Sequence, residues 1–305
     1  MPGPRAAYPA PIPAPSTPNL LSSTSSEARQ GLGRWTSGIT YQPYRPAAGG
    51  TGAVDPCGLL GDNTKEITDS PDSVSWDPYT IWAGDVCSVF PGEDVEARAR
   101  QQLETQTSHI IEGILFTNQV DGADYGSGHP NVSLSDADLP TNNVTPTIGQ
   151  IYTPNAYDTY PLVTVWTDMI EALKDSLGGA RGMIHVEKRL IPHIAFNGLA
   201  VQNGTRLVTT LGDHIVVPGT GYTGADPAGN APGKFHSWIY GTSMVEVLLT
   251  PVEVYTDRAG AITRTTNQIE YRAERMALAH WDRTAHIGIP VCLEDPMGDC
   301  SDSGS

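Results

Sequence analysis

Three sets of residues in this 305-residue chain have types and spacings that could carry chemistry. Gly219, Gly221 and Gly224 spell G-x-G-x-x-G directly after an apolar run at 214–217, the pattern that lets a backbone approach a dinucleotide pyrophosphate. That chemistry also requires a helix N-terminus facing the phosphates. Pro218 precedes the motif and ADPAGNAPG follows it, so no helix starts there and the stretch reads as a flexible surface loop. His280, Asp282 and His286 fall on one side of a continuous strand and could offer a metal two imidazoles and a carboxylate. The spacing is not diagnostic, and solvated or subunit-facing side chains are the plainer reading. His185 and His193 straddle a strand-to-helix turn; a general base needs a positioned partner, and nothing in the sequence indicates one.

The four cysteines, Cys57, Cys87, Cys292 and Cys300, form no C-x-x-C pair and lie far apart, apart from a seven-residue gap between the last two. This spacing is poor for zinc or redox chemistry and reads as unpaired thiols. There is no G-x-S-x-G elbow, H-E-x-x-H, P-loop or paired-carboxylate motif. The sequence therefore assigns no catalytic residue, no cofactor and no metal. An enzymatic alternative would have to be a hydrolase or transferase without a recognised motif.

Composition narrows the classes further. The formal net charge is −16, and four Lys against fourteen Arg leave no basic tract that could neutralise a run of phosphates. Counterion release drives sequence-independent nucleic-acid binding, so a direct DNA-binding role is not expected. A negative surface would instead act as a weakly repelling wall beside DNA. The first 22 residues carry five Pro between Pro9 and Pro18 without an apolar core behind basic residues, so they do not read as a signal peptide. No run of 18 apolar residues occurs, no membrane span is expected, and the chain is expected to be made in the cytoplasm.

Only 39% of the chain is hydrophobic, and 32 Gly with 25 Pro imply much extended or irregular backbone. Residues 1–26, rich in Pro, Ala and Ser, read as an arm unable to sustain its own core. Two aromatic, β-prone runs at 34–44 (RWTSGITYQPY) and 74–90 (VSWDPYTIWAGDVCSVF) surround a turn-rich excursion and suggest a projecting hairpin. PGED at 91–94 opens the clearest helix, running to about residue 118 with Val95, Ala99, Leu103, Ile110, Ile114 and Leu115 as its apolar stripe. A long loop over 121–159 follows, then a helix at 162–177 stopped by Gly178 and Gly179, a strand at 183–186 and a short helix at 188–197. Strands are expected at 206–209, 214–217, 238–242, 244–256, 268–281 and 287–293. Ile269, Tyr271 and Ala273 alternate with Glu270, Arg272 and Glu274, one face inward and one charged face outward. Helices precede most of the strands, so the class is α+β.

This order resembles the tailed-bacteriophage major capsid fold of the Hong-Kong-97 type, and the runs LVTVWTDMIEALKDSLGGARGMIHVEKRLIPHIAFNGL and RTTNQIEYRAERMALAHWDRTAHIGIPV resemble actinobacterial-virus capsid sequences. The resemblance covers residues 34–293. It implies an N-terminal arm (1–33), an E-loop hairpin (34–92), a peripheral domain with a spine helix (93–160) and an axial domain (161–242). Peripheral strands (243–275) and return strands with a polar tail (276–305) would complete the chain. It implies a non-enzymatic shell subunit of the virion, assembled in the host cytoplasm into hexamers and pentamers around double-stranded DNA. Separate scaffolding, portal and decoration proteins are possible partners, and an encapsulin-like shell is the nearest alternative. On this reading Trp35, Tyr41, Tyr44, Trp76, Tyr79 and Trp82 are expected to clamp a neighbouring subunit. Arg272, Glu274 and Arg275 are expected to pair across subunits, and deletion of 1–26 is expected to leave a folded core that assembles poorly. Lys65 is the one lysine in the excursion and the position an isopeptide crosslink would use, against a plain reading as a solvated turn residue.

Overall fold

The computed structural model describes residues 14, 17–24, 35–41, 73–88, 95–120, 123–124, 131–135, 160–227, 229–256, 268–283 and 285–293. Tyr44, Lys65 and most of the loop expected over 121–159 lie outside the described residues. In chain order the elements begin with the short helix α1 (Leu20–Ser23), β1 (Ile39–Tyr41), β2 (Val74–Trp76), β3 (Tyr79–Ser88) and the long helix α2 (Val95–Thr117). A ribbon of β4 (Gln119–Val120) and β5 (Ala123–Asp124) follows, then β6 (Tyr160–Pro161), α3 (Leu162–Ser176), β7 (Met183–Glu187) and α4 (Ile191–Phe196). The remainder is all strand: β8 (Ala200–Asn203), β9 (Arg206–Thr209), β10 (Ile215–Gly219), β11 (His236–Thr242), β12 (Val245–Leu249), β13 (Glu253–Thr256), β14 (Gln268–Trp281) and β15 (His286–Cys292).

Seven strands form one sheet in the order β6-β15-β11-β7-β10-β9-β8, with β7–β10 and β15–β6 parallel and the other pairs antiparallel. Both faces are covered. Ile184, Val186, Val216, Ile239, Ile289 and Val291 pack beneath α3, whereas Met183, Ile215, Val217 and Tyr240 join the core that contains α2. A second sheet is organised by β14, which pairs with β3 along one edge and with β12 and β13 along the other.

The long helix changes character along its length. At about 1.5 Å per residue it is a rod of roughly 35 Å. Its first half buries only the stripe of Val95, Ala99 and Leu103 and leaves Glu96, Arg100, Gln101 and Glu104 exposed, whereas Ile110–Phe116 is buried on every side. The helix α3 ends where two glycines adopt positive φ, 58° at Gly178 and 84° at Gly179, and the Gly179 amide closes the last turn on the Lys174 carbonyl at 2.8 Å.

Three expectations need correction. The strand anticipated over 244–256 is two strands, β12 and β13, both paired with β14 and interrupted around Pro251, which has no amide for a ladder. The run at 74–90 likewise divides at Asp77-Pro78: β2 closes the hairpin with β1, while β3 departs to pair with β14. The boundary placed between 275 and 276 falls inside β14, which continues unbroken to Trp281. A fourth correction concerns the arm. Residues 19–24 belong to the subunit core: Asn19 caps α1 through a reciprocal pair with Ser22, and Leu20 and Ser23 are fully buried. Deleting 1–26 would therefore strip a core leucine, so the truncated chain is not simply an intact core without its arm.

Candidate functional site

The outward face of the β3–β14–β13 sheet carries the exposed members of the expected interface. Strict alternation on β3 turns Tyr79, Ile81 and Ala83 inward and Thr80, Trp82 and Gly84 outward. Register then places Glu274 opposite both Trp82 and Glu253, and Arg272 opposite both Gly84 and Tyr255. The result is a patch of Trp82, Arg272, Glu274, Glu253 and Tyr255. Within it Arg272 ion-pairs with Glu274, and the Tyr255 hydroxyl donates to the Glu253 carboxylate, a bond that raises the tyrosine pKa. Arg275 points elsewhere: its Nε and guanidinium nitrogens donate to the Thr250 carbonyl at 3.0 and 2.7 Å, and burial lowers its pKa. Arg272 and Glu274 thus satisfy one another along a single strand, and Arg275 ties its own chain together.

The other hairpin aromatics lie inward. Trp76 packs on Trp281 with ring centroids 4.5 Å apart and donates its indole N–H to the Tyr41 hydroxyl at 3.1 Å. That hydroxyl donates onward to the Trp281 carbonyl, and burial pushes Tyr41 up to about 12. The Arg283 guanidinium sits 5.1 Å over the Trp76 ring. Trp35 and Tyr79 are buried as well. The hairpin base lies against its own subunit, so Trp35, Trp76 and Tyr79 are core residues and Tyr41 is a half-buried hydrogen-bond relay. Trp82 alone among the described hairpin aromatics presents its ring to the outside.

A junction that the sequence reading missed lies where α1, α2 and the loop after β10 meet. Glu112 is fully buried and accepts five hydrogen bonds. Its Oε1 takes the Leu20 amide at 2.9 Å and the Ser108 hydroxyl at 2.9 Å. Its Oε2 takes the Thr220 amide at 2.7 Å, the Thr220 hydroxyl at 3.0 Å and the Gly221 amide at 3.1 Å. A buried carboxylate is tolerable only when its lone pairs are filled in this way. The legible signal was a lone acid inside the apolar run HIIEGILF.

This junction also corrects the reading of the glycine motif. Residues 219, 221, 222 and 224–226 are buried, so the segment is no flexible surface loop. No helix follows it, as its sequence required. Gly221 lies so close to α2 that a Cβ there would collide with the His109 carbonyl and the Gly113 amide, which explains the glycine without any phosphate.

The histidines do not converge on a metal. His280 sits 3.5 Å from Glu246, whereas His286 turns into the core and bonds the Leu134 carbonyl at 2.8 Å. Among the described residues no group of three His, Cys, Asp or Glu could hold a metal ion. His185 is wholly buried between Tyr222 and Thr242, each hydroxyl 2.9 Å from a ring nitrogen. The Thr242 hydroxyl donates to the Ser243 carbonyl, so it must accept from Nε2, and the Tyr222 hydroxyl donates to Nδ1. Burial, with a smaller contribution from His286, drives His185 down to about 3. Cys292, expected to be a free thiol, is disulfide-bonded, and the side chain of its partner lies outside the described residues.

No protein-family model matches the chain, and no curated protein matches it in sequence. Solved structures do match. The capsid of a native GTA particle, computed with C5 symmetry, superposes with a TM-score of 0.54 at 14% identity and 95% coverage of both chains. The structure of Gordonia phage Cozz gives 0.52 at 13% identity over 93% of this chain and 90% of that one. Microbacterium phage Oxtober96 gives 0.52 at 11% identity, with 95% of each chain covered. At such identities the likeness is one of fold. The chain has the Hong-Kong-97-type capsid fold, and the match extends across almost its whole length rather than one motif.

Proposed function

We propose that this chain is the major capsid protein of a tailed phage, assembling as hexamers and pentamers into an icosahedral shell that encloses double-stranded DNA. The observation that carries the reading is the end-to-end likeness to capsid subunits, with 95% of this chain and 95% of the GTA capsid chain in correspondence. A charge of −16 suits a container that does not grip its contents. The role is structural: association geometry, with individually weak contacts summed over many copies, replaces bond chemistry.

In this reading 1–33, 34–92, 93–160 and 161–242 act as arm, hairpin, peripheral and axial parts, and α2 is the strut of the peripheral part. Trp82 with Arg272 and Glu274 forms the outward contact face, and Lys65 is the candidate for covalent joining. Scaffolding, portal and decoration proteins would be separate chains, and the particle would assemble in the host cytoplasm. Negative-stain microscopy of purified protein, with size-exclusion chromatography of the same sample, tests it. Uniform polyhedral shells of megadalton mass are expected; a protein that stays a stable monomer across concentration and ionic strength would overturn the reading.

A further inference from the structure

We infer that Glu112 is a latch that makes the seating of residues 19–24 and the folding-in of the loop at 219–221 a single coupled event. The inference concerns one subunit and stands independently of the shell reading. The two segments are about 200 residues apart in sequence and share no strand ladder; α1 packs on β10, and one carboxylate hydrogen-bonds both segments. Oε1 faces α1 and Oε2 faces the loop, so each oxygen serves a different partner. Withdrawing either segment leaves part of a buried anion unsatisfied, a state that costs more than the loss of an ordinary hydrogen bond. Seating either segment helps to bury the carboxylate, so the donors of the other segment are then needed to complete its shell.

The coupling has a route onward. Tyr222, next to Gly221 in the chain, donates to His185 on β7, which donates to Thr242 on β11. Phe116, one turn beyond Glu112 on α2, stacks on Tyr222 at 5.0 Å and meets Tyr240 edge-on at 5.1 Å. The root of the N-terminal segment is thus linked through Glu112 to the inner face of the seven-stranded sheet. Glu112 acts as a positioning residue, since it neither contacts solvent nor reacts.

Hydrogen exchange on the full chain, read on peptides covering 17–24 and 217–224, tests the latch. Glu112→Gln keeps the shape but offers one acceptor oxygen and one donor nitrogen, so it cannot serve both sides. It is expected to raise exchange about tenfold or more at both peptides while most of α3 is unchanged. Leu20→Ala should raise exchange in the loop peptide, and in the Glu112→Gln background it should add less than about twofold there. The inference is overturned if Glu112→Gln opens only one of the two peptides. It is equally overturned if Leu20→Ala loosens the loop by the same factor in both backgrounds, since direct packing would then carry the coupling. Should either variant fail to fold, Thr220→Val and Leu20→Val provide the same comparison. Thr220→Val keeps the carboxylate yet is expected to raise exchange at 17–24, and unchanged exchange there would refute the latch.

Discussion

Trp76 and Trp82 lie six residues apart on consecutive strands, yet the first is 1% exposed and the second 57%. Both are large, aromatic and close to the hairpin, and by residue type alone they deserve the same role. Their difference comes from the strand each occupies and the face each takes. Trp76 belongs to β2, which folds over Trp281, and its indole N–H has an internal acceptor. Trp82 lies on the solvent side of β3, opposite the Glu274 carboxylate and with its ring edge near Gly84. Aromatic content therefore marks where area is buried, while alternation decides whether the burial is within a subunit or is left for another molecule.

The pair can be broken apart experimentally. Trp76→Ala removes a core ring together with its hydrogen bond and is expected to destabilise the isolated subunit by about 3–5 kcal/mol. Trp82→Ala should change subunit stability by less than about 1 kcal/mol while raising the concentration needed for assembly. Urea unfolding of the subunits and light scattering of assembly separate the two effects. Equal destabilisation by both substitutions would erase the distinction between core and contact face.

Acid should act on the inward side through its buried histidines. His185 has a folded value near 3 and an ordinary unfolded value near 6.5, so between those limits the unfolded chain binds the proton and the folded chain does not. Stability is complete above about pH 6.5 and is lost as pH falls towards 3, by up to about 1.4 kcal/mol per pH unit from this residue. Lowered values at His214 and His280, both through burial, add slope of the same sign. Urea midpoints measured between pH 7 and 5 should fall for the wild type and fall less steeply for His185→Gln. Parallel profiles would show that His185 is not a buried neutral group.

The smallest effect is expected at the rim of the outward patch. Arg272 is exposed and pairs with Glu274 along the same strand, so Arg272→Glu should cost the subunit no more than about 1 kcal/mol. Its consequence should lie in assembly, whose salt dependence is expected to shift. Identical assembly at low and high salt would remove this patch from the contact face.

Much of this organisation was legible locally. The bounds of β14 follow from alternation, α2 and α3 follow from apolar spacing, and Gly178 and Gly179 mark the end of α3. The illegible parts are those decided by distant partners. Nothing within 74–90 says that β3 leaves its hairpin for β14, because pairing depends on a surface supplied some 190 residues later. Nothing within 219–224 says that Gly221 faces α2 rather than solvent; glycine there signals close approach, and sequence does not name what approaches. Leu20 looked like part of a polar arm because one leucine pair among prolines and serines has no period, and its burial rests on Glu112 and the sheet beneath it. Cys292 shows the same limit, since spacing alone does not reveal a bonded partner.

The ladder between β3 and β14 also sets a timetable. Tyr79–Ser88 has no sheet partner but Gln268–Trp281 among the described residues. A ribosome adding about 5–20 residues per second needs roughly 10–40 s to travel between them. Through that interval the nascent chain carries an apolar strand with its edge open and Trp82 on its surface, the kind of segment that other chains can capture. The last long strand to be made is therefore the one that closes the sheet and ends the period of greatest vulnerability. On the proposed shell reading, in which many copies are made at once, completing each chain would also keep its neighbours apart until they are ready to meet.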